Sequence, residues 1–442
     1  MIEQFETKGK WKLPESEAWY NGTLKFTPEN GATLEIFGSF NSGVLNQKTK
    51  TIILGETSQG NVTLVDNYYK SSNHSFESEI TIETYKPGFI IVGHHFLSVE
   101  SIQFRTIKFK TFNLFEWIST TGQNNKLNRT SLSINYNKPE NISFDYFDGC
   151  KGVVEFGYSI SRERLANKFE FEEECSVTFK YSEKRYFKDI LMDVYIFNGF
   201  ITLATFEQSY PLSIIFSDPE YTKDDKPQLI KCTYFNTTYR QEYKQRIKGE
   251  FLFDYSKDDF PDLIKNWYKR FQEIRPAFSL MLYSFKDKLK FNEDNFMDIA
   301  RAVETFHRRT TDCTKMPKDE YEAMVQRIYD KVNPTDKQWL IKQDALKYQN
   351  ELSLKNRLID LFKTYSSPYL VEQIPNIKKF CVKVVDSRNY YTHFNADKEK
   401  DSLKENKLFE LSQNLKALLI TCLCKHIGLN ENALDKGLKR NL

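Results

Sequence analysis

Fifteen of the seventeen glycines in this 442-residue chain lie before residue 251. Glycine weakens helix interiors but supplies the backbone freedom that tight turns between strands require. The chain therefore changes architecture near residue 250, from many short turn-linked segments to long uninterrupted ones. Charge changes at the same place. Residues 251–442 carry 34 Lys and Arg against 28 Asp and Glu, a net of +6, and the part before them has a net of −3. The overall net of +3 is too small to argue for nucleic-acid binding by itself.

Before the break, aromatic and β-branched runs alternate with Gly, Asn, Pro and Ser. The clearest are "GTLKFTPENGATLEIFGSF", "QGNVTLVDNYY", "FESEITIETYKPGFIIVGHHF" and "QFRTIKFKTFNLFEW". In "TLKFT" and "TLEIF" polar and apolar side chains alternate, as in strands with one face on a core and the other in water. "NRTSLSINYNKP", "VTFKY" and "LIKCTYF" extend the pattern. These runs predict a β-rich, sandwich-like domain over 1–245, a linker at 246–257 and an α-helical bundle over 258–442, an α+β multidomain chain. Helical periodicity is carried by "DDFPDLIKNWYKRFQEIRPAFSLMLYSF", with Pro261 early in the helix, and by "NFMDIARAVETFHRRT". It continues in "PKDEYEAMVQRIYDKV", "PTDKQWLIKQDALKY", "SLKNRLIDLFKTY" and "LKENKLFELSQNLKALLITCLCKHIG", which Gly428 terminates.

Several function classes are disfavoured. The chain has no apolar run of about eighteen residues, the length of a membrane-spanning helix. The opening "MIEQFETKGKWKLP" lacks the apolar stretch of a secretory leader. Seven cysteines, odd in number and sparse, suit a reducing cytosol better than a disulfide framework, so a cytoplasmic location is expected. No cofactor is implied. Cys422 and Cys424 lack a second metal-spaced pair and read as helix cysteines. His94 and His95 would point opposite ways on a strand, which disfavours a paired metal site. "GSFNSG", starting at Gly38, lacks the lysine and following Ser or Thr of a phosphate-binding loop and reads as a surface turn.

The stretch "DSRNYYTHFN", starting at Asp386, carries the most chemistry. In one helix over "IKKFCVKVVDSRNYYTHF", the five residues from Arg388 to His393 turn through about 500°, leaving the two side chains about 140° apart. They do not share one narrow stripe. A second copy of the helix across a two-fold axis would close that gap around one substrate. The residue types suit phosphodiester chemistry: histidine exchanges protons near neutrality, and a guanidinium stays charged and offers phosphate a fork of donors. Asn389 can orient either the substrate or Arg388. "ETFHRR" adds Glu304, His307 and Arg308, which either approach the same pocket or form an intrahelical Glu/Arg pair beside a packed histidine. Tyr390 and Tyr391 suit base stacking or the packing of a dimer seam.

"RNYYTH" resembles the signature of HEPN ribonucleases, an arginine followed after four to six residues by a histidine, often with a polar residue next to the arginine. "AVETFHRR", earlier in the same domain, fits that resemblance. At the other end, "KGKWKLP" and "WYNGTLKFTPENGATLEIFGSF" resemble the start of the N-terminal domain of ApeA-like anti-phage proteins, in which a β-rich domain precedes a C-terminal HEPN domain. The resemblance implies an all-α HEPN bundle and metal-independent endoribonuclease activity in a homodimer formed through it, serving abortive infection. It implies Arg388, His393 and Asn389 as catalytic residues, with Glu304, His307, Arg308 and Tyr391 as candidate supporting groups. RNA is the implied substrate, with tRNA among the candidates; attack by the ribose 2′-OH leaves 2′,3′-cyclic phosphate and 5′-OH ends. A sensing or regulatory N-terminal domain implies a phage-derived activator, and no membrane partner. The alternative is a catalytically inactive HEPN module that binds RNA or senses a phage protein.

Overall fold

The computed structural model describes residues 2–40, 49–75, 80–147, 150–163, 168–223, 226–234, 247–286 and 292–442. The chain forms two compact units, Met1–Lys265 and Asn266–Leu442. Of the stretches singled out above, Asn41, Ser42 and Gly43 of "GSFNSG", residues 76–79 and residues 235–246 lie outside the described residues.

The first unit opens with β1 (Phe5–Lys12), β2 (Tyr20–Thr27), β3 (Gly31–Phe37), β4 (Lys50–Thr57), β5 (Gly60–Ser75), β6 (Ile80–Val92) and β7 (Gln103–Thr111). Helix α1 (Leu114–Ile118) leads to β8 (Gln123–Leu127), β9 (Leu132–Tyr136), β10 (Ile142–Phe147), β11 (Cys150–Glu163) and β12 (Lys168–Tyr186). Helix α2 (Phe187–Thr205) is followed by β13 (Pro211–Ser217), β14 (Thr222–Lys223), β15 (Lys226–Pro227) and β16 (Ile230–Tyr234). Twelve strands form one continuous sheet, β10-β11-β12-β7-β13-β16-β6-β3-β2-β1-β4-β5, and β5 also pairs with β6. The strands β6, β3, β2, β1, β4 and β5 thus close into a ring, and the others extend from it as a limb.

Strand β6 belongs to both parts because one of its edges serves two partners. Ile82–Tyr85 pair with β3, and Phe89–Val92 pair with β16. Pro87, which has no N–H to donate, falls between the two ladders, where its missing donor interrupts neither. The alternation of "TLKFT" and "TLEIF" appears as alternating burial along β2 and β3. Their inward residues fill the ring with Leu24, Phe26, Leu34 and Ile36 around Trp11 and Tyr85. The Trp11 ring lies directly on bare backbone: a Cβ added at Gly55 would sit 2.2 Å from an indole carbon.

On the limb, α2 packs against β7 and β12. Phe197 of that helix meets Phe109 at 5.6 Å and Phe144 at 6.1 Å between ring centroids. Within the tract read as a linker, the apolar run Phe251–Leu252–Phe253 is buried in this same unit. The Leu252 N–H donates to Ala204 O at 2.9 Å, and Trp117 Nε1 donates to Phe253 O at 2.8 Å.

Helix α3 (Phe260–Lys286) is followed by α4 (Asn292–Thr310), α5 (Lys318–Lys331), α6 (Pro334–Lys342), α7 (Leu354–Tyr365) and α8 (Pro368–Gln373). Then come α9 (Ile377–His393), α10 (Ala396–Glu399), α11 (Glu405–His426) and α12 (Glu431–Asn441). The expected order, a β-rich domain and then an all-α bundle, is the one the chain adopts. Helix α11 is the bundle's axis, buried along most of its length and packed against α4 and α7, while α9 packs on α7 and α4. It stops as its sequence requires: Gly428 takes φ 94, its N–H reaches Lys425 O at 3.0 Å, and the Leu429 N–H reaches Cys424 O at 2.9 Å.

Replacing Gly55 by Ala forces the Trp11 ring to move and is expected to cost about 1–3 kcal/mol. Thermal unfolding should show a lower Tm for Gly55→Ala, and a smaller penalty for the same change in a Trp11→Leu background, since the clash is with the indole.

Candidate active site

Helix α9 buries Phe380, Cys381, Val384 and Ser387, an i, i+1, i+4, i+7 stripe. Measured round the helix from Val384, Tyr391 lies about 20° away, Arg388 about 40° and His393 about 180°. The environments follow this geometry. Arg388 is half-buried at the edge of the packed face, and His393 is exposed on the opposite side. Among the described residues His393 has no hydrogen-bond or ion-pair partner.

The Arg388 guanidinium is held from two directions. Its Nη2 lies 3.5 Å from Glu304 Oε2 on α4, and its Nη1 donates to Asn389 Oδ1 at 3.3 Å. The other oxygen of Glu304 accepts from Arg308 Nε and Nη2 at 3.3 and 3.2 Å, the i, i+4 pair visible in "ETFHRR". Arg308 Nη1 donates to Glu351 Oε2 at 2.7 Å, and the same oxygen accepts from Arg357 Nη2 at 3.2 Å. Signs alternate along this chain, which allows Arg357 to be buried with only 1% of its side chain exposed. Arg357 Nε also donates to Leu352 O at 2.9 Å.

His307 sits at the inner end of the same network and is fully buried. Its Nε2 is 3.0 Å from Asp360 Oδ2, and its Nδ1 is 3.4 Å from Arg357 Nη1 and 3.6 Å from Cys313 Sγ. A guanidinium only donates, so Nδ1 accepts and the Nε2–H points at Asp360. Burial lowers the His307 pKa below its ordinary value, with Asp360 opposing the shift. His307 therefore joins the cluster as a neutral, oriented ring that reaches Arg388 only through Arg357, Glu351, Arg308 and Glu304.

Tyr391 lies on the packed side. Its hydroxyl donates to Leu403 O at 2.9 Å and its ring meets Phe296 edge-on at 6.3 Å. Ser387 Oγ accepts the Leu403 N–H at 3.0 Å, so two side chains of α9 pin the segment leading into α11. Ser387, Arg357 and Asp360 carry no distinguishing signal in the sequence.

A second buried histidine also escapes the sequence. His426, read there only as the end of a helix, has Nε2 3.0 Å from Arg270 Nη1 and 3.2 Å from Glu273 Oε2, with Nδ1 3.0 Å from the Tyr365 hydroxyl. Burial lowers its pKa, with Glu273 opposing. In the first unit, His94 packs 4.8 Å from both Phe96 and Tyr221, and His95 Nε2 donates to Gly55 O at 2.8 Å. Cys422 and Cys424 are buried in α11. Among the described residues no group of three or more His, Cys, Asp or Glu is placed to hold a metal ion, and no helix is long and apolar enough to cross a membrane.

Residues 6–267, more than half of the chain, match the family model of the ApeA N-terminal domain 1. The chain belongs to the ApeA family. Residues 297–433 match the model of the Apea-like HEPN domain, a span that contains Arg388, His393 and the whole polar chain from Glu304 to Asp360. No curated protein and no solved structure matches. HEPN-type domains are associated with ribonuclease activity, RNA binding and dimer formation, and the two domains together with abortive infection and antiviral defence.

Both buried histidines have folded-state pKa values below the unfolded value of about 6.5, so the unfolded chain binds more protons as pH falls. Their contribution to stability is full above about pH 6.5 and is lost as the pH drops through that value toward the lowered folded pKa. Circular-dichroism melts should give a lower Tm at about pH 5.5 than at about pH 7.5, with a smaller difference for His307→Gln.

Proposed function

We propose that this chain is a controlled, metal-independent endoribonuclease whose active site is completed by a second copy of the HEPN unit. One observation carries the proposal: within the matched HEPN span, α9 holds an oriented Arg388 at the edge of its packed face and presents His393 on the opposite side, exposed. On one helix the two groups leave the axis about 140° apart. Two α9 helices facing each other across a two-fold axis can bring them around a single phosphate.

The chemistry uses the substrate's own nucleophile. The ribose 2′-oxygen attacks the adjacent phosphorus, the bond from phosphorus to the 5′-oxygen breaks, and the products are a 2′,3′-cyclic phosphate and a 5′-OH. His393 takes the proton from the 2′-OH or gives one to the departing 5′-oxygen. Arg388 offers its donor fork to the non-bridging oxygens as their charge rises. Asn389 occupies one end of that fork through its carbonyl and has its NH₂ for the substrate. Glu304 keeps Arg388 aligned before RNA arrives. A half-exposed ion pair is worth about 0–1 kcal/mol, so phosphate can replace Glu304 without a large penalty.

The N-terminal unit has a sensing or regulatory part in this proposal, responding to a phage-derived activator in the cytoplasm. Its net charge of −3 makes it a poor site for the RNA backbone, and its ApeA membership supports the assignment. The proposed limits are 1–245 for the sensing domain, 246–257 for the connection, whose Phe251–Phe253 pack into the first unit, and 258–442 for the HEPN bundle.

Arg388→Ala and His393→Ala are each expected to lower cleavage of total RNA in chelator-containing buffer by at least about 100-fold, the lower end for a general acid–base group. Both should keep wild-type helicity. Chemical mapping of the product ends should find cyclic phosphate and 5′-OH; full activity in either folded variant refutes the assigned roles. Mixing the double variant with wild-type protein under subunit exchange should reduce activity per wild-type chain, whereas a monomer cleaving at the full rate refutes the shared site.

A further inference from the structure

Phe394 follows His393 directly and closes α9 with φ 49 and ψ 36, its N–H bonded to Tyr390 O at 2.6 Å. Glycine is the usual occupant of a left-handed position at a helix end, and a bulky side chain there is disfavoured. Burial does not offset that cost, because Phe394 remains 68% exposed. The ring is nevertheless oriented. It meets Tyr390 at 5.6 Å and 66°, and Tyr391 at 6.2 Å and 85°, both edge-to-face. Tyr391 is itself anchored through its hydroxyl to Leu403 O, and the Lys404 ammonium lies 5.9 Å from the Tyr390 ring centroid. A left-handed backbone, an exposed face and two supporting rings describe an aromatic that is held in orientation and open to solvent.

We infer that Phe394 is a stacking platform for an unpaired RNA base next to the cleaved bond. The inference rests on the ribonuclease proposal and adds a substrate-positioning residue to it. Phe394 and His393 are consecutive residues with Cα atoms about 3.8 Å apart, and the stacked base is assigned to a nucleotide close to the phosphate that His393 serves. Aromatic rings accept any base, and the contact selects for strand state rather than for sequence. A base inside a duplex has both faces covered by its neighbours. The ring therefore needs a base that is free to turn out of its stack.

The test uses the full chain and a short single-stranded RNA, fully 2′-O-methylated so that it cannot be cleaved, with 2-aminopurine at successive positions. Wild-type protein should bind it and quench 2-aminopurine at one or two adjacent positions. Phe394→Gly, which also relieves the left-handed strain, should lose the quench and weaken binding about 5- to 150-fold, the range for one base–aromatic stack. Phe394→Trp should keep both. Unchanged affinity and quench in Phe394→Gly overturn the platform and leave the nuclease proposal standing, provided unmodified RNA is still cut in a His393-dependent way. Failure of the wild type to bind any single-stranded RNA overturns both. If Phe394→Gly instead converts a dimer to monomers in sedimentation without altering the quench, the ring packs on a second copy and the platform is refuted.

Discussion

Glu304 faces two guanidinium groups on different helices, and this shared carboxylate aligns Arg388 at the edge of the face that α9 buries. One oxygen holds Arg308 within α4, and the other reaches across to Arg388 on α9. The rotation of α9 about its own axis is set by its buried stripe, Phe380, Cys381, Val384 and Ser387, and the charge pattern of α4 matches it. With that rotation set, Ser387 and Tyr391 meet Leu403, and His393 turns to the far side. A neutral residue at 304 would leave Arg388 beside Arg308 with nothing between the two charges.

The network behind Glu304 shows how a mildly charged unit carries several arginines close together. Arg388, Glu304, Arg308, Glu351 and Arg357 alternate in sign, so each cation has an anion beside it and the innermost one survives burial. The His307–Asp360 pair ends the series inside the bundle. Arg357 is shut away from solvent while Arg308 and Arg388 are both open to it, and Arg388 is held less tightly, by a 3.5 Å contact to Glu304 and a 3.3 Å hydrogen bond to Asn389.

How much of this was legible follows from the range of each interaction. Glycine usage, the alternation in "TLKFT" and the periodicity of "SLKNRLIDLFKTY" are local, and they mark strands and helices correctly. The Glu304–Arg308 pair is also local, four residues apart on one helix. The two faces of α9 could be assigned once Val384 and Ser387 were seen to be apolar-facing, which places Arg388 and His393 apart. The partners of His307 and His426 come from α7 and α3, tens of residues away, and no periodicity encodes them. The pairings of β1 with β4 and of β3 with β6, which complete the ring, are invisible for the same reason. The run Phe251–Phe253 was readable as apolar, but its destination beside Ala204 and Trp117 was not.

The divided edge of β6 has a consequence for the order in which the first unit assembles. The ring uses only strands within the first 92 residues, so by contact order its pairings are expected to form before those of the limb. Phe89–Val92 must then wait for Ile230–Tyr234 to emerge before their second edge is covered. During synthesis this short open edge is a template on which another nascent chain can add a strand. Pro87 limits the hazard, because it prevents the open ladder from extending back along β6 toward the part already paired with β3. The proline, a boundary between two ladders, is thus also expected to limit misassembly.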